Sequence, residues 1–560
     1  MLSTAHLSCN ILTDLLIAHG VRHAVISPGS RNTPLIIALS RREEITCHVV
    51  IDERSAAFIA LGMGVQSGAP IALVCTSGTA LLNYAPAVAE AFYRHIPLVV
   101  ISADRPEEWI DQDDSQTLWQ QDALAPYVKR SCDISARIDF PNGPWWTDRM
   151  INDTLLEALN GRRAPVHINV RLDAPLNTQT EYHKGSARVI EMVSPRASLP
   201  VSDIRAMAMP LASPARLLII AGFHAPDEKL NRALIRLASL PNVVVMTESI
   251  SNLHSPSFIS RIDSTLCRLS EDEKRAMRPD TVITIGGAIV SRHIKEWLRS
   301  LPDLEHWHIG ISHTTIDCFK HLTKRVEIDE TIFMTQLAAA MQPHRAQCEY
   351  ACQWHEAALR AKDIHDTYVC NAPWSDLKAL SYVFAQIPRR CNLHLSNGTA
   401  IRYAQLMECG HVHRSECNRG VSGIDGCTST ALGASALYNG VTVLISGDMS
   451  FQYDISALSS RLMTPRFKMI VMCNGGGGIF RFIGATSALP ETEQFFAVGT
   501  NLPLRQLCDG YGIEYYEATD EASLKSSFGK FITEHERPAL LAIHTPPQVS
   551  AEVLKGYFEI

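Results

Sequence analysis

The run Val441–Phe480, VTVLISGDMSFQYDISALSSRLMTPRFKMIVMCNGGGGIF, decides how the chain is read. Val441–Ile445 and Met469–Cys473 are short apolar runs of the kind that form fully buried strands, and a helical pattern separates them. Asp448 follows the first run after a Gly-Asp turn, and Asn474 follows the second before a four-glycine turn. If the two strands are parallel neighbours, both side chains face one crevice at the carboxyl edge of a sheet, where open α/β sheets bind ligands. One carboxylate, one amide oxygen and a glycine carbonyl suit a hard cation such as Mg²⁺, which takes its remaining ligands from water and substrate phosphates. An ordinary strand–turn–helix with a capping aspartate fits the same residues.

Working outward, helix and strand alternate through most of the chain. Ala24–Ile26, His48–Ile51, Ile71–Cys75, Leu98–Ile101 and Val166–Val170 read as strands of a first unit. Leu217–Ala221, Val243–Thr247, Val282–Ile285 and His306–Ile309 belong to a second; Leu393–Leu395, Val441–Ile445, Lys468–Cys473 and Ala539–Ile543 belong to a third. Alternation at this spacing predicts parallel sheets covered on both faces: three Rossmann-like, doubly wound α/β domains. The expected division is a domain over 1–182, a proline-rich linker over 183–213, a central domain over 214–334, a bridging helical segment over 335–371 and a last domain over 372–560.

Bulk properties exclude several classes. A chain of 560 residues with 46% hydrophobic and 19% charged residues is an ordinary globular protein of several domains. The net charge of −7 argues against nucleic acid as the main partner. No apolar run reaches the roughly 18 residues that span a bilayer. The first residues, MLSTAHLSCNILTDLLIAHG, carry Asp14 and no basic region, so they read as an amphipathic helix and not a signal peptide. Fifteen scattered cysteines suit reduced thiols in the cytoplasm.

Several strand ends carry ligand-type residues. Ser27-Pro-Gly-Ser-Arg-Asn-Thr33 follows a strand and opens a helix, so Ser30 and backbone N–H groups present an anion site while Arg31 adds a planar fork for carboxylate or phosphate. Glu53 lies in Asp52-Glu-Arg54 just beyond the next strand. Thr76-Ser-Gly-Thr79 brings Thr76 and Gly78; Ala103-Asp-Arg-Pro106 brings Arg105, with Gln116 in the loop beyond. In the third unit, Ser396-Asn-Gly-Thr-Ala-Ile-Arg402 supplies Asn397 and Arg402, and Asn418-Arg-Gly-Val-Ser-Gly-Ile-Asp-Gly426 supplies Arg419 and Ile424. Each taken singly also fits a helix cap, a solvated turn or a core residue. The spacing in Cys409-Gly-His-Val-His-Arg-Ser-Glu-Cys417 matches no strong zinc pattern, and the absence of a GxSxG elbow disfavours an α/β-hydrolase.

Taken together and in order, these motifs resemble the thiamine diphosphate-dependent decarboxylase/synthase superfamily. Its Gly-Asp-Gly/Ser signature, closed by an asparagine about two dozen residues on, is matched by Gly447-Asp448-Met-Ser450 and by Asn474, 26 positions after Asp448. Within it, SPGSRNTP, DERSAAF, TSGTA, ADRP, NRGVSGIDG and GGGGIF are similar to the menaquinone-pathway synthases of the MenD family.

The resemblance implies a synthase that decarboxylates 2-oxoglutarate and adds the succinyl unit to isochorismate in a Stetter-like 1,4-addition. It implies thiamine diphosphate with Mg²⁺ or Mn²⁺ as cofactors. Glu53 would be the catalytic acid on the pyrimidine ring, with Thr76, Gly78, Ile424, Gly447, Asp448, Met449, Ser450, Asn474 and Ile479 also holding the cofactor. Asp448, Asn474 and the Gly476 carbonyl would be the metal ligands. Ser30, Arg31, Arg105, Gln116, Arg292, Asn397, Arg402, Arg419 and Phe480 would meet substrate. The three domains become a pyrimidine-binding, a central and a diphosphate-binding domain, with pockets shared between subunits of a homodimer or a dimer of dimers. The sequence departs from the family at Cys473 and Gly398, and at His293 beside Arg292. Another thiamine enzyme, such as acetolactate synthase, is the nearest alternative. A pyruvate decarboxylase would carry adjacent histidines, which this chain lacks. A polyanion-binding paralogue would have no use for Glu53.

Overall fold

A computed structural model of the protein describes residues 1–212, 214–341, 348–499, 501–533 and 536–559. Ser213, the end of the expected linker, lies outside the described residues, as do 342–347 of the expected bridging segment and 500, 534–535 and 560 of the expected last domain. The chain divides into two compact units: Met1–Ser194 with Asn418–Asn439 and Tyr453–Thr464, and Pro195–Cys417 with Gly440–Gln452 and Pro465–Ile560.

The first unit is built on six parallel strands in the spatial order Thr46–Val49, His23–Ile26, Ile71–Cys75, Leu98–Asp104, Val166–Arg171, Ser131–Ile134. Central strands such as Ile71–Cys75 are buried along their whole length, because helices cover both faces. The chain order reverses between His23–Ile26 and Ile71–Cys75, which opens a crevice at their carboxyl ends. The strand expected over His48–Ile51 lies two residues earlier, at Thr46–Val49. Val49 and Ile51 are 61% and 78% exposed, so the apolar run there does not mark an interior strand.

The helix Glu53–Ser67 is almost wholly buried. It crosses the later helix Cys427–Ala436, also of this unit, so closely that no side chain fits at the contact. A Cβ at Gly62 would sit 2.0 Å from the Thr430 carbonyl oxygen, and one at Gly433 would sit 2.0 Å from that of Ile59. Asp454 fastens the same packing: it accepts from Ser429 N at 2.6 Å and from Ser429 Oγ at 2.8 Å, and Ser55 Oγ lies 2.7 Å from Ser456 Oγ. Gly62→Ala and Gly433→Ala are each expected to destabilise by at least about 1–3 kcal/mol, since neither backbone can yield without moving its helix. The double variant should cost less than the sum, because both relieve one crossing. Denaturant midpoints check this.

The second unit holds two parallel sheets. Five strands lie in the order Val243–Thr247, Leu217–Ala221, Thr281–Ile285, Glu305–Ile309, Leu322–Val326; six more lie in the order Arg414–Cys417, Asn392–Leu395, Thr442–Gly447, Phe467–Cys473, Ala539–His544, Glu514–Ala518. The six-stranded sheet repeats the connectivity of the first unit's sheet, with its reversal between Asn392–Leu395 and Thr442–Gly447. The fold class is thus doubly wound parallel α/β, with one short antiparallel pair, Leu2–Thr4 and Gln179–Glu181, beside the three large sheets. Residues read as linker contain the helix Val201–Ala208, whose Ile204 and Ala208 enter the core of the five-stranded sheet. The 22-residue helix Tyr350–Asn371 packs Tyr350 and Trp354 on the other face of that sheet and Val369 into the core of the six-stranded one.

Candidate functional site

In the first unit, the reversal point gathers most of the residues singled out there. Ser27 N donates to Val74 O at 2.9 Å, closing the Ser-Pro-Gly-Ser turn onto the strand that ends before Thr76. Tyr84, fully buried, donates from its hydroxyl to Val74 O at 2.9 Å and lies 3.2 Å from Ser27 Oγ. Ser77 Oγ donates to Gln116 O at 2.9 Å, and Gly78 N donates to Gln120 Oε1 at 2.7 Å, which fixes the Gln116 loop over the Thr76–Gly78 turn. Thr76 Oγ1 is buried and without a hydrogen-bond partner among the described residues.

Two guanidiniums converge on this edge. Arg31 donates to Leu172 O at 3.0 Å, and Arg105 pairs with Asp114 at 2.7 Å. Partial burial, and next the charge of Arg105, hold Arg31 below the usual arginine range, with Asp114, Asp173 and Asp104 pulling the other way. Two cations held this close favour an anion between or beside them.

Asp52 caps the helix Glu53–Ser67, its carboxylate accepting from Ser55 N at 3.1 Å. Glu53 therefore occupies the first helical turn and not a strand end, and it is half-buried. Its charge reaches the interior: after burial, Glu53 is the next influence raising the Cys75 thiol. Arg419 and Ile424 lie on the loop leading to Cys427–Ala436. Buried Glu90 anchors that loop, accepting from Gly420 N at 2.8 Å and Val421 N at 2.7 Å. Ile424 is half-buried.

In the second unit, Asp448 opens the helix Asp448–Tyr453 directly after its strand. It is 3% exposed, and three backbone donors fix it: Met449 N to Oδ1 at 2.7 Å, and Gly475 N and Gly476 N to Oδ2 at 3.1 and 3.0 Å. Thr442–Gly447 and Phe467–Cys473 are parallel neighbours, so Asp448 and Asn474 do share one edge. Arg481 ties down the glycine loop, donating to Asn474 O at 3.1 Å and Gly475 O at 2.9 Å, while Glu493 holds its other side at 2.8 Å. Gly476 has φ +98°, and a Cβ there would lie 2.1 Å from Ala497 O, so only glycine fits. Ile479 and Phe480 follow, both half-buried. Asp448, Cys473, Gly475 and Thr545 line part of a cavity of about 460 Å³. Burial, then Asp448, push the Cys473 thiol up to about 12, so it stays neutral beside the carboxylate.

At the reversal point, Gly447 N donates to Ser396 Oγ at 3.2 Å, bringing Asn397 to the same edge, and nothing lies within 4 Å of where a Gly447 Cβ would point. Met449 and Ser450 continue the helix from Asp448. Arg402 stands in the helix Thr399–Ala404; burial raises Asp263 above the usual carboxylate range, and the charge of Arg402 is among the influences that oppose this. Arg292 is not drawn in by any contact described for it: it is half-exposed at the start of Arg292–Ser300 and pairs with Glu296 at 3.6 Å.

The donor set at this edge fits a hard divalent cation. Asn474 Oδ1 is buried and accepts no hydrogen bond among the described residues, an acceptor that awaits a partner. Carboxylate, amide oxygen and carbonyl oxygen are the ligands Mg²⁺ and Mn²⁺ take. One member of the surroundings escaped sequence reading. Asp376, at the start of the helix Asp376–Gln386, accepts from Asn474 Nδ2 at 2.7 Å. An aspartate after Ser375 resembles any helix start, so nothing in the sequence marks it.

A family model described as thiamine pyrophosphate enzyme, N-terminal TPP binding domain, matches residues 9–124. The 2-succinyl-5-enolpyruvyl-6-hydroxy-3-cyclohexene-1-carboxylate synthase of Porphyromonas gingivalis is 40% identical over 556 residues, 98% of this chain and 96% of the relative. Synthases of the same name from Christiangramia forsetii and Flavobacterium psychrophilum are both 36% identical, over 97% and 96% of this chain and 97% and 96% of their own lengths.

Proposed function

The chain belongs to the 2-succinyl-5-enolpyruvyl-6-hydroxy-3-cyclohexene-1-carboxylate synthase family, and from that premise we propose that it uses thiamine diphosphate to decarboxylate 2-oxoglutarate and add the succinyl unit to isochorismate, a transferase step of menaquinone biosynthesis. The near-full-length kinship carries this reading. Supporting it are Arg31 and Arg105, which converge on one edge of the first unit, since each substrate is a dicarboxylate.

Bound thiamine diphosphate supplies the electron sink for decarboxylation. Glu53 would hold and return a proton at its carboxyl group toward the pyrimidine portion. Thr76, Gly78 and Ile424 seat the ring portion. Gly447, Met449, Ser450 and Ile479 would hold the diphosphate portion, and Asp448, Asn474 Oδ1 and the Gly476 carbonyl would hold Mg²⁺ or Mn²⁺. Ser30, Arg31, Arg105, Gln116, Arg292, Asn397, Arg402, Arg419 and Phe480 would bind and orient the two substrates. The corresponding domains are 1–182 for pyrimidine, 214–334 as the central domain and 372–560 for diphosphate, joined by 183–213 and 335–371. A cytoplasmic setting accords with fifteen free cysteines. Among the described residues no helix is long and apolar enough to cross a membrane.

The assembly is a homodimer or a dimer of dimers in which Glu53 of one subunit completes the cofactor site whose metal ligands another subunit supplies. Mixing two inactive variants tests this. Glu53→Gln and Asp448→Asn, dissociated and reassociated together at equal amounts, should recover about a quarter of wild-type activity. Half of the dimers are then mixed, and each has one intact site of two. No recovery from a mixture shown to contain hybrid dimers would rule out sharing.

A further inference from the structure

Asp376 is held among neutral donors and touches the one side chain whose orientation the proposed metal site depends on. It is 2% exposed. Besides Asn474 Nδ2 at 2.7 Å, it accepts from Thr545 Oγ1 at 2.5 Å and Ser550 Oγ at 3.4 Å, both from residues that are themselves buried. Asn474 has only two ways to place its amide. With Nδ2 on Asp376, Oδ1 faces away and is left without a hydrogen bond among the described residues. With the amide reversed, Oδ1 would face a carboxylate, acceptor against acceptor, and a hydrogen-bearing nitrogen would face the cation. An ionised carboxylate has no proton to give, so it permits only the first arrangement.

We propose that Asp376 is a positioning residue for the metal site: its carboxylate locks the Asn474 amide with Oδ1 toward the cation and the diphosphate it carries. This rests on the assignment of Asp448 and Asn474 as metal ligands. Partners of this kind, one shell behind a ligand, typically change metal affinity by about 10- to 100-fold when removed.

The test is a titration of the full-length protein with Mn²⁺ in the presence of thiamine diphosphate, with free Mn²⁺ read from its electron paramagnetic resonance signal. Asp376→Asn should weaken Mn²⁺ binding by about tenfold or more, because an amide at 376 can accept or donate and no longer chooses the orientation. Asn474→Asp should also weaken binding, since it sets two carboxylates in contact. The double variant Asp376→Asn with Asn474→Asp restores one donor facing one acceptor and should bind Mn²⁺ within about threefold of wild type, a rescue that a merely structural role would not produce. If Asp376→Asn does not fold, the double variant still decides. Wild-type affinity in a folded Asp376→Asn, or no rescue in the folded double variant, would overturn the proposal. Asp448→Asn serves as reference: if it binds Mn²⁺ normally, the ligand assignment itself fails; if it loses Mn²⁺ while Asp376→Asn keeps it, only the role of Asp376 fails.

Discussion

Glu53→Gln lowers turnover by about 10²- to 10⁴-fold while thiamine diphosphate still binds: that is the expected result, and its size is that of a removed acid–base group. The glutamine amide has nearly the shape of the carboxyl and can donate a hydrogen bond to a ring nitrogen, so binding survives. It cannot release a proton and take it back. The local structure should be untouched, because Asp52 and not Glu53 caps the helix, and the burial that stabilises Glu53–Ser67 begins at Ser55. Cofactor binding by calorimetry and turnover by product formation, measured on one preparation, separate the two effects. Wild-type turnover in this variant would remove Glu53 from the chemistry.

Asp448→Asn has the second large effect, and for a different reason. The carboxylate accepts on both oxygens, from Met449 on one side and from Gly475 and Gly476 on the other. An amide can accept on one side only, so its NH₂ group must face a backbone N–H on the other. The substitution therefore removes a ligand charge and disturbs the glycine loop that carries the Gly476 carbonyl. Mg²⁺-dependent cofactor binding should weaken by at least about 100-fold, equivalent to roughly 2.7 kcal/mol. Binding measured without the metal, already weak, should change little. Equal losses with and without Mg²⁺ would show that the loop matters and the metal does not.

The interior of the fold was legible in the sequence, and most of its rims were not. Strands such as Ile71–Cys75 and Leu217–Ala221 are buried on both faces and therefore read as continuous apolar runs. Apart from the short antiparallel pair Leu2–Thr4 and Gln179–Glu181, the strands that escaped are Ser131–Ile134, Leu322–Val326, Arg414–Cys417 and Glu514–Ala518, and each lies at the edge of its sheet. Edge strands carry polar and charged residues that discourage pairing with other chains, so their hydropathy pattern is broken. Glu53 was found for its position near a strand end, though the exposed Ile51 blurred where that strand stops. The association of Asn418–Asn439 with the first unit was invisible, because it depends on two glycines, Gly62 and Gly433, meeting across helices far apart in sequence. Asp448 and Asn474 were legible because glycines and strands frame them. Asp376 was not, because its role lies in which way a neighbouring amide points.

The central claim is the pairing of substrates, and one assay tests it most directly. The purified protein, stripped of metal and then supplied with thiamine diphosphate and Mg²⁺, is given 2-oxoglutarate or pyruvate with isochorismate, and CO₂ and the coupled product are measured together. The account predicts 2-succinyl-5-enolpyruvyl-6-hydroxy-3-cyclohexene-1-carboxylate formed in step with CO₂ from 2-oxoglutarate, and far less reaction with pyruvate. Absence of the coupled product, or equal use of pyruvate, would contradict it.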